Sequence, residues 1–280
     1  MPTIASRLGR QSIVGLAVAV AATLFVTPRP SAAGGQVSCT YTPGNARVRV
    51  EMTGFVGAKI GRDPFGAIYV TGTSSCDGAT VQNTDSIYVI GDDGNQNANI
   101  DMRNGGLKPG LTNEPGTSDE IEIVLFLNAG TDSLTISGSD QAENIRFGRP
   151  ASGFVVGNVN LNAGEATGVD ADLILQAGTE NVGVSAEGGA DTVSGLGGAG
   201  TGQEFTLRMS LHGNNGGDKL TGGAAGDALW GDDGGDTLKG RGANDYLDTE
   251  DGISGNDTAD GGGGRNDICI TDAGDTQISC

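Results

Sequence analysis

Basic and aromatic residues are scarce in this chain. Lys and Arg number 16 against 35 Asp and Glu, His occurs once, and Phe, Trp and Tyr make up 4%. A formal net charge of −19 repels nucleic acid and anionic membrane surfaces and attracts cations, so neither a nucleic-acid partner nor membrane insertion is expected. Catalytic signatures are missing too: there is no G-x-S-x-G elbow, no HExxH and no P-loop. The single His212 reads as a structural residue. No CxxC pair exists, which argues against a zinc site. No stretch carries the 3.6-residue period of an amphipathic helix. The one long apolar run, Ile13 to Val26, has 14 residues and is too short to span a bilayer.

That run belongs to a front that reads as a secretory signal peptide over residues 1–33. Arg7 and Arg10 precede it, and Ser31-Ala32-Ala33 supplies small residues for cleavage. A secreted, extracellular protein is therefore expected. Its four cysteines, Cys39, Cys76, Cys269 and Cys280, then suggest two disulfides. Three pairings are open, and the sequence neighbours Cys39–Cys76 and Cys269–Cys280 are favoured. Each such pair would staple one end of the mature chain. Glycine is abundant, at 51 of 280 residues, too many for an ordinary globular core but normal for stacked repeats.

The glycines fall into a period. From Gly213 to Asp248 the chain reads GNNGGDKLT, GGAAGDALW, GDDGGDTLK, GRGANDYLD. Gly213, Gly222, Gly231 and Gly240 open the units, Asp218, Asp227, Asp236 and Asp245 hold the sixth place, and Leu220, Leu229, Leu238 and Leu247 the eighth. A fixed short period means stacked copies of one supersecondary unit, here a glycine turn and a very short strand. The eighth residue points inward and its neighbours outward. Two units make one coil of eighteen residues, so Asp218 stacks with Asp236 on one edge and Asp227 with Asp245 on the other. A disordered tail would not need leucine at every ninth position. Stacked carboxylates repel, and a hard cation between coils removes the repulsion. Calcium suits a mixture of carboxylates and glycine-turn carbonyls better than magnesium, which demands a small octahedron and keeps its waters.

These units resemble the RTX, or haemolysin-type, calcium-binding repeat, G-G-x-G-x-D-x-U-x with U a large aliphatic residue. The resemblance covers about 36 residues closely. It implies a parallel β-roll with calcium held between coils by the sixth-place Asp and by turn carbonyls. Carried onto this chain, the ligands are Asp218, Asp227, Asp236 and Asp245, with backbone from Gly213, Gly222, Gly231 and Gly240. Asn215 and Asp233, at the third place of their units, are additional candidates. Beyond a slip in register, Asp257 and Asp267 are expected to bind at the end of the array. The chain departs from the family in its N-terminal signal and its cysteines, and it lacks the pore-forming region of the toxins.

Upstream the pattern loosens. Residues 34–120 form a β-rich region, with strands expected at Ala46–Val50, Ala67–Val70 and Ser86–Ile90. Asp92 to Asn97 hints at a degenerate repeat turn. Residues 121–212 look like worn repeats, with Asp132, Glu143 and Asp191 at acid places as weaker ligand candidates. Residues 213–280 are the clean array, carrying 14 acids against four basic residues. The expected fold is all-β, a wider β-solenoid narrowing into a β-roll. The expected function is calcium binding coupled to folding, in a structural or interaction role. A protein or glycan at the cell surface is the partner to look for, since Trp230 and Tyr246 project outward. Two alternatives remain: a polysaccharide lyase or epimerase with its site in residues 34–212, and an adhesin fragment.

Overall fold

Alternation sets the strands. In Arg47–Thr53 the residues Val48, Val50 and Met52 are buried, while Arg47, Arg49 and Glu51 are half-buried on the opposite face. In the glycine-rich part the same rule survives with one apolar residue per strand: Leu220, Leu229, Leu238 and Leu247 are fully buried. The computed structural model describes residues 34–73, 76–111, 120–151, 153–163 and 171–280. The signal-like segment 1–33 lies outside the described residues.

The described chain is all-β, with no α-helix, and its strands fall into two long, mostly parallel sheets. The twelve-stranded sheet runs from Gln36–Thr42 through Arg47–Thr53, Ser86–Ile90, Glu122–Phe126, Leu173–Gln176, Val155–Asn160, Asn144–Gly148, Thr192–Ser194, Lys219–Thr221, Thr237–Arg241 and Thr258–Gly262 to Thr276–Ile278. The eleven-stranded sheet runs from Ile268–Ile270 through Tyr246–Asp248, Ala228–Trp230, Arg208–His212, Asn181–Gly189, Ser133–Ser139, Gln96–Asp101 and Val56–Arg62 to Ile68–Val70, with the short strands Asn215–Gly216 and Asp233–Gly234 beside it. The chain passes from one sheet to the other and back, and the inward residues of both build one continuous hydrophobic core.

The length of each return shortens along the chain. Ile100 pairs in register with Ile136, 36 residues on, and Ile136 with Val184, 48 on. Val184 then meets Leu211 after 27 residues, and Leu211, Leu229 and Leu247 follow at intervals of 18. The loops of the first half explain why no nonapeptide shows there. Residues 31–280 form one compact unit, and the sheets run continuously past positions 120 and 212.

Antiparallel pairing marks the start and one insertion. Gln36–Thr42 pairs antiparallel with Arg47–Thr53, Val56–Arg62 with Ile68–Val70, and Val155–Asn160 with both of its neighbours. Disulfides sit at both ends: Cys39 is bonded to Cys76 and Cys269 to Cys280, leaving no free cysteine. The favoured pairing is the one observed.

Glycine is required where turns stack. Gly234 has φ +153, and a Cβ there would run into the carbonyl of Gly216 one turn earlier. The adjacent Gly235 has only the Asn256 carbonyl oxygen near its Cβ position, at 3.6 Å. Gly234→Ala should therefore lower stability by about 2 kcal/mol or more, and Gly235→Ala by about 0.5 kcal/mol or less. Equal shifts in thermal midpoint for the two variants would contradict the stacking of these turns.

Candidate functional site

An aspartate at the end of a tight glycine turn can do what a backbone carbonyl would do, accepting an N–H from the neighbouring turn. The sixth-place residues do this in sequence. Asp218 Oδ1 accepts the Asp191 N–H at 2.7 Å, Asp236 Oδ1 that of Asp218 at 2.8 Å, and Asp257 Oδ1 that of Asp236 at 2.6 Å. Asp191 Oδ1 takes the Glu143 N–H at 2.6 Å, which extends the ladder upstream. On the other edge Asp227 Oδ1 takes the Met209 N–H, Asp245 Oδ1 that of Asp227 and Asp267 Oδ1 that of Asp245, each at 2.8 Å. The register slip after Asp248 lengthens a loop without breaking either ladder.

These carboxylates are buried rather than stacked in solvent. Asp191, Asp218, Asp227, Asp236, Asp245 and Asp257 are all at or below 3% exposure. One oxygen of each is satisfied by backbone, but Oδ2 of Asp191, Asp218, Asp236, Asp245 and Asp257 is buried with no hydrogen-bond partner. Asp132 is in the same state: its Oδ1 accepts the Gln96 N–H at 2.6 Å and its Oδ2 is orphaned. Asp227 differs, because its Oδ2 accepts the Gly223 N–H at 2.7 Å. Burial pushes the carboxyls of Asp191 and Asp236 up to about 7 and those of Asp132, Asp227 and Asp245 up to about 6. Asp218 and Asp257 are raised for the same reason. Asp101 shows the opposite solution. It is equally buried, yet Arg103 Nη2 at 2.6 Å and the Tyr69 hydroxyl at 2.5 Å outweigh desolvation and hold it well below the usual carboxylate range.

The first-place glycines explain themselves at these oxygens. A Cβ on Gly213 would collide with Asp218 Oδ2 and, at 2.6 Å, with the Gly231 carbonyl oxygen. A Cβ on Gly240 would meet Asp245 Oδ2 and, at 2.6 Å, the Gly261 carbonyl oxygen. Gly222 faces Asp227 Oδ2 and the Gly240 carbonyl, and Gly231 faces Asp236 Oδ2. At Gly213, Gly222 and Gly240, then, a carboxylate oxygen and a carbonyl oxygen of the next turn converge on space that only glycine leaves open. Among the described residues no group of three or more His, Cys, Asp or Glu comes together. A cation at these places would be held by one carboxylate with backbone carbonyls. That all-oxygen set fits a hard ion such as calcium.

Not every expected residue joins the ladders. Asn215 and Asp233 are exposed and pair with each other across neighbouring strands. Glu143 turns its carboxylate to Ser139, accepting the backbone N–H at 3.2 Å and the hydroxyl. Asp275 was missed. Its Oδ1 accepts the Gly255 N–H at 2.8 Å, and it stands 18 residues after Asp257. The eighteen-residue spacing could have found it, but the polar Gln277 stands where a leucine was looked for. Of the outward aromatics, Trp230 stacks on His212 at 4.4 Å and 2° and tilts against Tyr246 at 5.6 Å. The rings cover one another across strands, a cross-strand row that stabilises the sheet.

No protein-family model matches the chain, and no curated protein or solved structure matches it either.

The raised carboxyls set a pH test. Their folded values lie above the unfolded value of about 3.9, so in chelator they favour folding most at low pH. That contribution is lost as pH rises through about 6 to 7. In chelator the thermal midpoint should fall between about pH 5 and pH 8, and Asp236→Asn should flatten the fall and stabilise the protein at the upper end. A slope that Asp236→Asn leaves unchanged would remove this carboxyl from the account.

Proposed function

We propose that this chain is a secreted calcium-binding protein whose 213–280 segment is a parallel β-roll of the RTX type, with folding coupled to calcium and a structural or interaction role. The observation that carries the reading is the row of buried aspartate oxygens without partners, repeated turn after turn beside next-turn carbonyls. A buried unpaired charge is costly, and it must be neutralised by a proton or by a cation. At the pH of extracellular fluid, protons are too dilute to neutralise these groups fully, and millimolar calcium is the available alternative. The alternation of strands between two sheets, with returns that shorten to 18 residues, supports a solenoid narrowing into a roll.

The residues that would hold the ions are Asp218, Asp236, Asp245 and Asp257 through Oδ2, with the carbonyls of Gly231, Gly240 and Gly261. Asp132 and Asp191 extend the same arrangement upstream, and Asp227 belongs to it with a weaker demand. Calcium supplies two positive charges and several coordination positions that tie one turn to the next, so binding energy becomes folding energy. Export is supported by the signal-like N-terminus and by the two disulfides. Among the described residues no helix is long and apolar enough to cross a membrane.

The test is thermal unfolding and far-ultraviolet circular dichroism of the chain from residue 34, disulfides intact, in chelator and then in calcium. Half-saturation is expected at roughly 10⁻⁴ to 10⁻³ M, with cooperative binding and a higher midpoint. Asp236→Asn, which relieves the metal-free protein, should instead weaken the gain in calcium. A midpoint and spectrum indifferent to calcium would end this reading, and an equal response to magnesium would remove the selectivity.

A further inference from the structure

Away from the ladders, the segment 102–108, the start of Glu122–Phe126 and the turn between Ser133–Ser139 and Asn144–Gly148 enclose a cavity of about 350 Å³. That lies at the lower end of the roughly 300 to 1,000 Å³ of small-molecule pockets and leaves room for one sugar-sized ring. Part of its wall is apolar and rigid, since Met102, Leu107, Ile121 and Ile123 belong to the buried core. The outer segment is held in place by Arg62, whose Nε donates to the Asn104 carbonyl at 2.6 Å and whose Nη1 donates to the Lys108 carbonyl at 2.7 Å. Ile121 N–H closes the other side on the Leu107 carbonyl at 3.1 Å. The cavity is therefore preformed.

The polar part of the wall is one-sided. Glu120, Glu143 and Asp172 face a single basic residue, Lys108. Asn162 donates its amide nitrogen to Glu120 Oε1, which fixes the direction of that amide and leaves Asn162 Oδ1 buried without a partner. Asn144, bridged to Asn162 through the backbone, also has an orphaned Oδ1. Carboxylates and amide oxygens are acceptors, so a complementary ligand must bring donors and positive charge. An acidic polymer, the substrate of a lyase or epimerase of uronates, has the wrong sign.

We propose that this cavity binds a small molecule carrying a primary ammonium group and hydroxyls, with the dimensions of a single amino sugar. Glu120 and Glu143 hold the ammonium, the amide oxygens of Asn144 and Asn162 accept from hydroxyls, and the apolar wall packs against the ring. The site is independent of the ladders and of whatever occupies them.

The experiment is calorimetric titration of the disulfide-intact chain, in millimolar calcium, with glucosamine, N-acetylglucosamine and glucuronate. Saturable glucosamine binding with a Kd of about 1 mM is expected, at least about tenfold weaker for N-acetylglucosamine and absent for glucuronate. Glu143→Gln and Glu120→Gln should each weaken glucosamine about tenfold with the thermal midpoint retained, and if one variant fails to fold the other decides. The proposal is overturned by the absence of heat with glucosamine at about 10 mM, by equal binding of the acetylated sugar, or by undiminished binding in a folded Gln variant. It is equally overturned if raising calcium displaces glucosamine, because the cavity would then be a metal site.

Discussion

One hydrogen bond organises the molecule: an aspartate Oδ1 accepting the backbone N–H of the equivalent residue one turn earlier. In the 213–280 segment it recurs on both edges and holds each turn at a fixed offset from the last. The bond needs a short acidic side chain. Glutamate at the same place, Glu143, folds back onto Ser139 instead. The geometry that satisfies Oδ1 carries the other oxygen inward, where the glycine-only space and the next carbonyl await it. Turn closure and the demand for a counter-charge therefore arise from the same carboxylate.

The rest of the array offers little to offset that demand. One leucine per unit is buried, and the flanking residues are exposed or half-buried. So thin a core leaves the ordering of each unit weakly compensated by apolar burial. Upstream, the longer returns bring Ile, Val and Phe in quantity, including Phe147 and Phe205 packed at 5.4 Å. The first half can rest on its core. The second half depends on how its carboxylates are neutralised.

The period of nine made the leucine row, the inward and outward faces and the two stacked edges legible, because each is a direct consequence of a repeat too short to do anything else. The end staples were legible because cysteines 37 and 11 residues apart are neighbours in sequence. What could not be read was the direction of the aspartates, since periodicity places a residue on an edge without saying which way its oxygens turn. Asn215 and Asp233 failed for that reason: the third place faces solvent. Gln96 stands in the ladder position paired with Asp132, and a glutamine there hides the repeat. The cavity was invisible because its walls come from segments separated by loops of irregular length.

The two edges are not equivalent, and this orders the events along them. Units opening at Gly213 and Gly231 place Asn214 and Asp232 in the left-handed region, with Gly216 and Gly234 at φ +148 and +153. Their aspartates, with Asp191 and Asp257 above and below, all retain an unmet oxygen. The unit opening at Gly222 instead turns the Gly223 N–H onto Asp227, so one position of the opposite edge is already satisfied by the chain itself. Charge accumulates along the first edge, where Asp236 lies between Asp218 and Asp257 and is raised by both after burial. Neutralising any one of these relieves its neighbours above and below, so the first edge gains most from the first counter-ion. The second edge, anchored at Asp227, can hold the register while that happens.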